Sequence, residues 1–361
     1  MRVVAMRNKK LSLAEIPIPQ PGPGEVLVKT LACGICGSDL HALKHADRFV
    51  ETARRSGGPF LMDLTRDIVM GHEFCAEVVD YGPQTDRRLK AGARICAMPL
   101  LLRSTGVETV GYSNDNPGGY GEYMRLTEKL LLEVPNGLPT DKAALTEPLA
   151  VGYHAVQKAR LGGDEVPLVI GCGPVGLAVI TALKLSGVHP IVAADFSPRR
   201  RQLAVAVGAD VVIDPKEKSP FESWKQMAAY TDPAKAPKLP PWLPGPALRP
   251  AVIFECVGVP GVIDSIMAAA PGNARIVVVG VCMEQDHFEP SFGINKELNI
   301  QFVLAYTGEE FAATLHNLAE GRIDGSPLIT GKVGLDGVAQ AFTDLASPET
   351  HAKIIVDPQR V

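Results

Sequence analysis

The chain of 361 residues is 46% hydrophobic and 21% charged, enough apolar material for two ordinary cores and too much for extended disorder. A net charge of −4, a pI near 6.1 and no long basic run argue against nucleic acid as a principal partner. Seven scattered cysteines, an odd number, do not form a disulfide framework, and no window has the length of a membrane span or a secretory core, so a cytoplasmic protein is expected.

From the N-terminus to about residue 150, turns such as Pro21-Gly-Pro-Gly24 precede short alternating runs such as Glu25-Val-Leu-Val-Lys-Thr-Leu, which predicts a mostly β domain. Within it, Cys36 and the pair His72-Glu73 offer one soft, one intermediate and one hard donor, a set that suits zinc in an open catalytic site. Singly, each has a plainer reading: a small buried hydrophobe, a core histidine, a surface charge. Cys33 and Cys36 spell CxxC, but the region shows no helix start of the kind that lowers a thiol pKa, so redox chemistry is not expected. Thirty residues separate His41 from His72, a loop positioned to shape substrate choice. Between Ala93 and Tyr123 the only cysteine is Cys96, and the apolar Met98-Pro-Leu-Leu-Leu102 there reads as packing.

After about residue 151 the rhythm changes to apolar runs separated by helical patterns: Leu168-Val-Ile, Ile191-Val-Ala-Ala, Val211-Val-Ile, Ala251-Val-Ile-Phe and Ile276-Val-Val-Val. Buried parallel strands with crossover helices read this way. Gly171-Cys-Gly173-Pro174-Val175-Gly176 follows the strand Val166 to Ile170 and opens the helical run Leu177 to Leu185, and a second strand ends in Asp195, 19 residues past Gly176. That context turns a weak glycine pattern into a dinucleotide site: Gly171 for the turn, Gly173 for the approach of the pyrophosphate, Gly176 for helix packing, with the helix N-terminus facing the phosphates. Asp195 accepts ribose hydroxyls and repels a 2′-phosphate, which favours NAD over NADP, whereas Arg199-Arg200-Arg201 just beyond offers phosphate partners, Arg200 among them.

The stretch from Lys216 to Pro250 carries Pro233, Pro237, Pro240, Pro241, Pro244, Pro246 and Pro250, which rules out one continuous helix or central strand and predicts a surface excursion between two sheet strands. Leu298-Asn-Ile-Gln-Phe, a helix from Glu309 to Gly321 and a last segment ending in Ala352-Lys-Ile-Ile-Val close the chain.

Taken together, Cys36-Gly-Ser38-Asp39-Leu-His41, Gly71-His72-Glu73, Gly118-Gly-Tyr-Gly-Glu-Tyr, Glu147-Pro-Leu-Ala-Val-Gly-Tyr-His, the 171–176 glycine motif and Glu255-Cys-Val-Gly occur in an order that resembles the zinc-dependent medium-chain dehydrogenase/reductase family, in particular its sorbitol, threonine and butanediol dehydrogenase branch. The resemblance implies an α/β protein: a GroES-like β-rich catalytic domain of residues 1–150 and 306–361, and a Rossmann doubly wound parallel-sheet domain of residues 151–305, with the active site in the cleft where they meet. It implies Cys36 and His72 as zinc ligands, with Glu73 or Glu147 completing the set directly or through water. It implies Ser38 as the hydroxyl that takes the alcohol proton, His41 as the histidine that receives it through the cofactor ribose, and Asp39 as the carboxylate that orients His72. It further implies a homodimer or homotetramer associated through the Rossmann sheet edge. Family members with a structural zinc carry four closely spaced cysteines where this chain has only Cys96, so one catalytic zinc per subunit and no structural zinc is expected.

The reaction expected is reversible oxidation of a secondary alcohol to a ketone with NAD, and the Glu147-Pro-Leu motif points to a diol, polyol or sugar alcohol. Tyr120, Tyr153 and Trp242 are candidate pocket aromatics, with core packing as the plainer reading for each. Two alternatives remain on the same fold: a zinc-free enone or quinone reductase, which has no use for Cys36, His72 and Glu73, and a non-enzymatic nucleotide-binding protein.

Overall fold

The structure, a computed structural model, describes residues 1–232, 234–238 and 246–360. The chain divides into two compact units, one of Met1–Pro148 with Thr307–Val361 and one of Leu149–Tyr306.

The first unit begins with the antiparallel pair β1 (Arg2–Arg7) and β2 (Lys10–Glu15). The long β3 (Glu25–Gly34) leads into two short helices, α1 (Gly37–Lys44) and α2 (Ala46–Ser56), before β4 (Glu73–Tyr81) returns antiparallel to β3. There follow β5 (Arg94–Ala97), the hairpin β6 (Leu100–Arg103) and β7 (Gly106–Thr109), then β8 (Tyr123–Thr127), β9 (Leu131–Glu133), α3 (Thr140–Ala143) and α4 (Thr146–Ala159). The chain passes into the second unit within α4.

The second unit alternates strand and helix without exception: β10 (Val166–Ile170), α5 (Pro174–Leu185), β11 (Val192–Ala194), α6 (Pro198–Val207), β12 (Val211–Ile213), α7 (Pro220–Ala228), β13 (Ala251–Glu255), α8 (Val262–Ala269), β14 (Arg275–Val278), α9 (Pro290–Lys296) and β15 (Asn299–Phe302). All six strands are parallel, in the order β12-β11-β10-β13-β14-β15. The order reverses at β10 and β13, and in such sheets the crevice beyond the strands' C-terminal ends at the reversal is where ligands bind. The near-continuous burial of Val166, Leu168, Val192, Ile253 and Ile276 reflects helices on both faces of the sheet.

The last segment rejoins the first unit as α10 (Gly308–Ala319), β16 (Ile329–Val333), α11 (Val338–Leu345) and β17 (Lys353–Val356). Its strands complete a seven-stranded sheet, ordered β16-β17-β3-β4-β5-β9 with β8 also on β3. One edge of β3 is shared: β8 pairs along Glu25 to Lys29, and β17 pairs with Cys33 and Gly34. A C-terminal strand is thereby fixed beside the segment that carries Cys36.

Two expectations need correction. The excursion begins later than Lys216, because residues 220–228 form α7, with Pro220 at the first helical turn, where a missing N–H costs nothing. Trp224 on that helix is 2% exposed, belongs to the sheet's core and donates its indole N–H to the Val166 carbonyl at 2.8 Å. Of the remainder, the bridge Ala229–Leu248 is described, whereas Pro233, Pro240, Pro241, Trp242 and Pro244 lie outside the described residues. The second correction concerns the CxxC: a helix does start there, with Cys36 as the N-cap of α1. Turn or cap chemistry is the plainer reading of Ser38 and Asp39, and Asp39 does cap: it accepts the Cys36 backbone N–H at 3.1 Å and so closes the first helical turn. The redox reading gains nothing from this, since Cys33 is fully buried and burial, together with the charges of Asp39 and Glu73, pushes its thiol well up.

Candidate active site

Register brings the metal-type residues together. Gly34 at the end of β3 pairs with Glu73 at the start of β4, so Cys36, two residues past one strand, meets His72, one residue before the other. The donor atoms of Cys36, His72 and Glu73 all lie within 4.8 Å of one another, the single such group of three or more among the described residues. Glu147, buried near the start of α4, is not part of that group, although its charge is felt at Lys353.

Asp39 is the anchor beneath this group. Fully buried, it accepts the Tyr120 hydroxyl on Oδ2 at 2.6 Å and the Tyr112 hydroxyl on Oδ1 at 2.8 Å, and its Oδ1 stands 3.5 Å from His72 Nδ1. Burial raises its pKa, but the charge of the His72 ring and the hydrogen bonds from both phenols outweigh burial and hold the carboxyl below its usual range. His72 is the mirror case: burial disfavours its charge, yet the charges of Asp39 and Cys36 prevail and raise it well above the ordinary imidazole value. The site therefore draws positive charge. The approach of Nδ1 to Asp39 is too poorly aligned for a formed hydrogen bond, and Nε2 has Ser38 Oγ only at 3.5 Å. A buried imidazole with no short bond, between a thiol and a carboxylate, has the donor chemistry of a zinc site.

Glu73 has a partner that the sequence reading missed. Lys353 on β17 donates to both Glu73 oxygens at 2.6 Å and to the Ile35 carbonyl at 3.0 Å, with both side chains buried. Burial works against the ammonium, but the charges of Glu73 and Cys36 more than compensate and raise its pKa. Each carboxylate oxygen has two acceptor sites, so this pairing leaves Glu73 able to face the metal group as well. The signal in the sequence was a lone lysine inside the apolar run Ala352-Lys-Ile-Ile-Val.

Ser38 and His41 lie on α1, both half-buried. Ser38 Oγ is 2.8 Å from the Tyr112 hydroxyl, a residue no motif marks. Burial, with His45 and Lys44 nearby, lowers the His41 pKa. Tyr120 proves fully buried on Asp39, so its packing reading holds, while Tyr153 is half-buried on α4.

In the second unit the loop 171–173 joins β10 to α5, with Pro174 at the helix start. Gly171 has φ +92°, and a Cβ on Gly176 would stand 1.9 Å from the Gly171 carbonyl, so both positions require glycine. Asp195 directly follows β11, and its carboxylate accepts the N–H groups of Cys172 at 2.7 Å and Ser197 at 2.8 Å, which ties the glycine loop to the next strand. Among the three arginines, Arg201 is structural: it bonds the carbonyls of Asp195 and Phe196 and pairs with Asp214 at 3.0 Å. Arg200 instead lies over the loop, its Nη1 3.7 Å from where a Cβ on Gly173 would be and its Nε buried without a hydrogen-bond partner. Glu255 bonds the N–H groups of Val257 and Gly258 and shapes the turn after β13.

Comparison with known proteins agrees with this geometry. The family model for the alcohol dehydrogenase GroES-like domain matches residues 22–136, and that for zinc-binding dehydrogenases matches residues 174–320. The (R,R)-butanediol dehydrogenase of Bacillus subtilis (strain 168) is 30% identical over 370 residues, covering 99% of this chain and all of that one. The chain belongs to the zinc-binding medium-chain dehydrogenase/reductase family. Within this family it falls in the sorbitol and butanediol dehydrogenase-like branch: sorbitol dehydrogenase of Bos taurus is 28% identical over 344 residues, 92% of this chain and 89% of that one. The crystal structure of 2R,3R-butanediol dehydrogenase from Bacillus subtilis superposes with a TM-score of 0.80 at 28% identity, covering 99% of each chain. As a medium-chain dehydrogenase of this type, the protein is a zinc-dependent oxidoreductase that acts on alcohols, with NAD as its hydride acceptor. No helix among the described residues is long and apolar enough to cross a membrane.

Proposed function

We propose that the protein oxidises a secondary alcohol, with a diol, polyol or sugar alcohol favoured, to the corresponding ketone. The observation that carries this reading is the Cys36, His72 and Glu73 group, within 4.8 Å, with Ser38 Oγ 3.5 Å from the His72 ring. Bound there, zinc supplies a Lewis acid that lowers the pKa of the alcohol hydroxyl, and NAD supplies the hydride acceptor. Cys36 and His72 hold the metal with Glu73 or Glu147, and Asp39 fixes the His72 ring through its Nδ1 side. Ser38 receives the hydroxyl proton and His41, kept neutral by its surroundings, passes it to solvent. Gly171, Gly173, Pro174, Val175 and Gly176 cradle the pyrophosphate at the start of α5, Asp195 takes the adenosine ribose and Arg200 flanks it. The catalytic domain is assigned to residues 1–150 and 306–361, and the NAD domain to residues 151–305.

The diol or polyol class is supported by the Glu147-Pro-Leu motif and by relatives named butanediol and sorbitol dehydrogenases. Reduction of NAD⁺ and NADP⁺ with a panel of simple secondary alcohols, vicinal diols and polyols tests it. Higher kcat/KM with NAD⁺ and a vicinal diol or polyol supports the reading; a preference for NADP⁺ or for simple alcohols overturns it.

Association across the sheet edge is also proposed. The outermost strand β15 and its neighbours leave Ile294 77%, Phe302 62% and Leu304 76% exposed, an apolar edge that a lone subunit does not favour. Seven free cysteines suit a reducing, cytoplasmic compartment.

A further inference from the structure

Tyr112 belongs to none of the motifs, yet its hydroxyl lies 2.8 Å from Ser38 Oγ and is held from outside α1. It follows the β6–β7 hairpin, and its ring sits against two aromatics from the stretch between His41 and His72: Phe49 of α2 and Phe60, each 5.4 Å away. Those two rings are 5.0 Å apart, and the Tyr112 ring also stacks at 5.2 Å from the ring of His72. These three rings hold the Tyr112 ring in place. Its hydroxyl touches Ser38 Oγ and Asp39 Oδ1, both at 2.8 Å.

The hydrogens on these three groups can be counted. A carboxylate only accepts, and Asp39 already receives the Tyr120 hydroxyl and the Cys36 N–H on its other oxygen. The phenol has one hydrogen, directed at Asp39 Oδ1, so the hydrogen in the Ser38–Tyr112 contact must be the serine's. The lone pairs of Ser38 Oγ are what remains for another partner.

We propose that Tyr112 is a positioning residue for this reaction: before transfer it holds the Ser38 hydrogen toward itself and thereby presents the serine oxygen as an acceptor to the substrate hydroxyl, and as the substrate proton arrives the serine hydrogen leaves Tyr112 and passes outward toward His41. The long insertion between His41 and His72 serves the chemistry through Phe49 and Phe60, which hold the phenol in line. The inference rests on the reading that Ser38 receives the alcohol proton.

The test is a double-mutant cycle with Tyr112→Phe, Ser38→Ala and the two combined, measured as kcat for alcohol oxidation alongside zinc content and thermal midpoint. Tyr112→Phe keeps the ring in place, so zinc content is expected to match the parent and the midpoint to fall no further than in Tyr120→Phe, which also loses one bond to Asp39, while kcat falls about tenfold. In the Ser38→Ala background the same substitution is expected to lower kcat by no more than Tyr120→Phe does, because the bond to Asp39 is all that remains for it to lose. Tyr120→Phe, which touches Asp39 but not Ser38, is expected to lower kcat by the same factor in both backgrounds. Full kcat in Tyr112→Phe, independent losses in the cycle, or loss of zinc together with a midpoint well below that of Tyr120→Phe each overturn the proposal. A fully active Ser38→Ala instead removes the reading beneath it, which separates the two failures.

Discussion

Two titratable side chains near the metal-type group, one half-buried and one buried, set how the site responds to pH and to substitution. His41 is the acceptor at the outer end of the proposed proton path, and burial, then the charges of His45 and Lys44, hold its pKa below the ordinary value. A lowered pKa means that the ring stays neutral, and able to accept, until the pH falls below about 6.5. The acid limb of kcat/KM for alcohol oxidation is therefore expected below that pH, and His45→Asn is expected to move it upward, measured across pH 5 to 8. An acid limb unmoved by both His45→Asn and His41→Gln would remove His41 from the path. The second side chain is Lys353, whose removal leaves the Glu73 carboxylate buried without its ammonium. Lys353→Met is expected to cost about 3–5 kcal/mol in denaturant unfolding, whereas Lys353→Arg, able to refill both hydrogen bonds, is expected to recover much of it. Cys36 and His72 were readable in the sequence because each lies in a short run of characteristic neighbours. Tyr112 and Lys353 were not, because their roles arise from contacts 73 and 280 residues distant in the chain, to Asp39 and Glu73 respectively.

At the scale of elements, the inner strands of the second unit were legible because their cores are short apolar runs, as in Val166 to Ile170 and Ala251 to Phe254, whereas the edge strand β15 (Asn299–Phe302) carries polar residues at alternate positions. Helix α1 was not, because Gly37-Ser38-Asp39 carries turn chemistry that becomes a helix start only once Asp39 closes on Cys36. Nor was α7, whose nine residues sit beside prolines that dominate the pattern of the longer stretch. The lobe around β6 and β7 shows what holds a region that lacks a cysteine cage. Arg103 pairs with the buried Glu25 and with Glu108, each at 2.8 Å, and also bonds Asn116, while Arg125 approaches Glu25 at 3.8 Å. Of the run 98–102 that reads as packing, Leu101 is fully buried, residues 98–100 are half-buried and Leu102 is 42% exposed, so the packing reading holds for Leu101 and not for the whole run. Arg103→Met strands the Glu25 carboxylate in a buried site, so a loss of about 3 kcal/mol is expected in denaturant unfolding, with zinc content unchanged. Zinc lost along with stability would mean that this lobe supports the metal group itself.

On the scale of the whole molecule, the order of motifs carried the architecture: a β-rich first unit, a strand-helix alternation, and a C-terminal segment that returns to the first sheet through β17. That return was legible only through the family resemblance, since strand pairing between residues more than 300 apart leaves no local pattern. The exposed edge at β15 carries its own prediction. Charged substitutions at both Ile294 and Leu304 are expected to shift light-scattering mass toward the single chain of 38.4 kDa without loss of the folded state. An unchanged mass would move the interface elsewhere. The central claim is that this chain uses one zinc, held by Cys36 and His72, to oxidise alcohols with NAD. Metal analysis by plasma emission on the purified protein, with Cys36→Ala and His72→Ala beside it and turnover measured on the same samples, tests that claim most directly. The account predicts one zinc per chain in the parent and loss of both zinc and alcohol-dependent NADH formation in each variant; zinc and full turnover retained in either variant would contradict it.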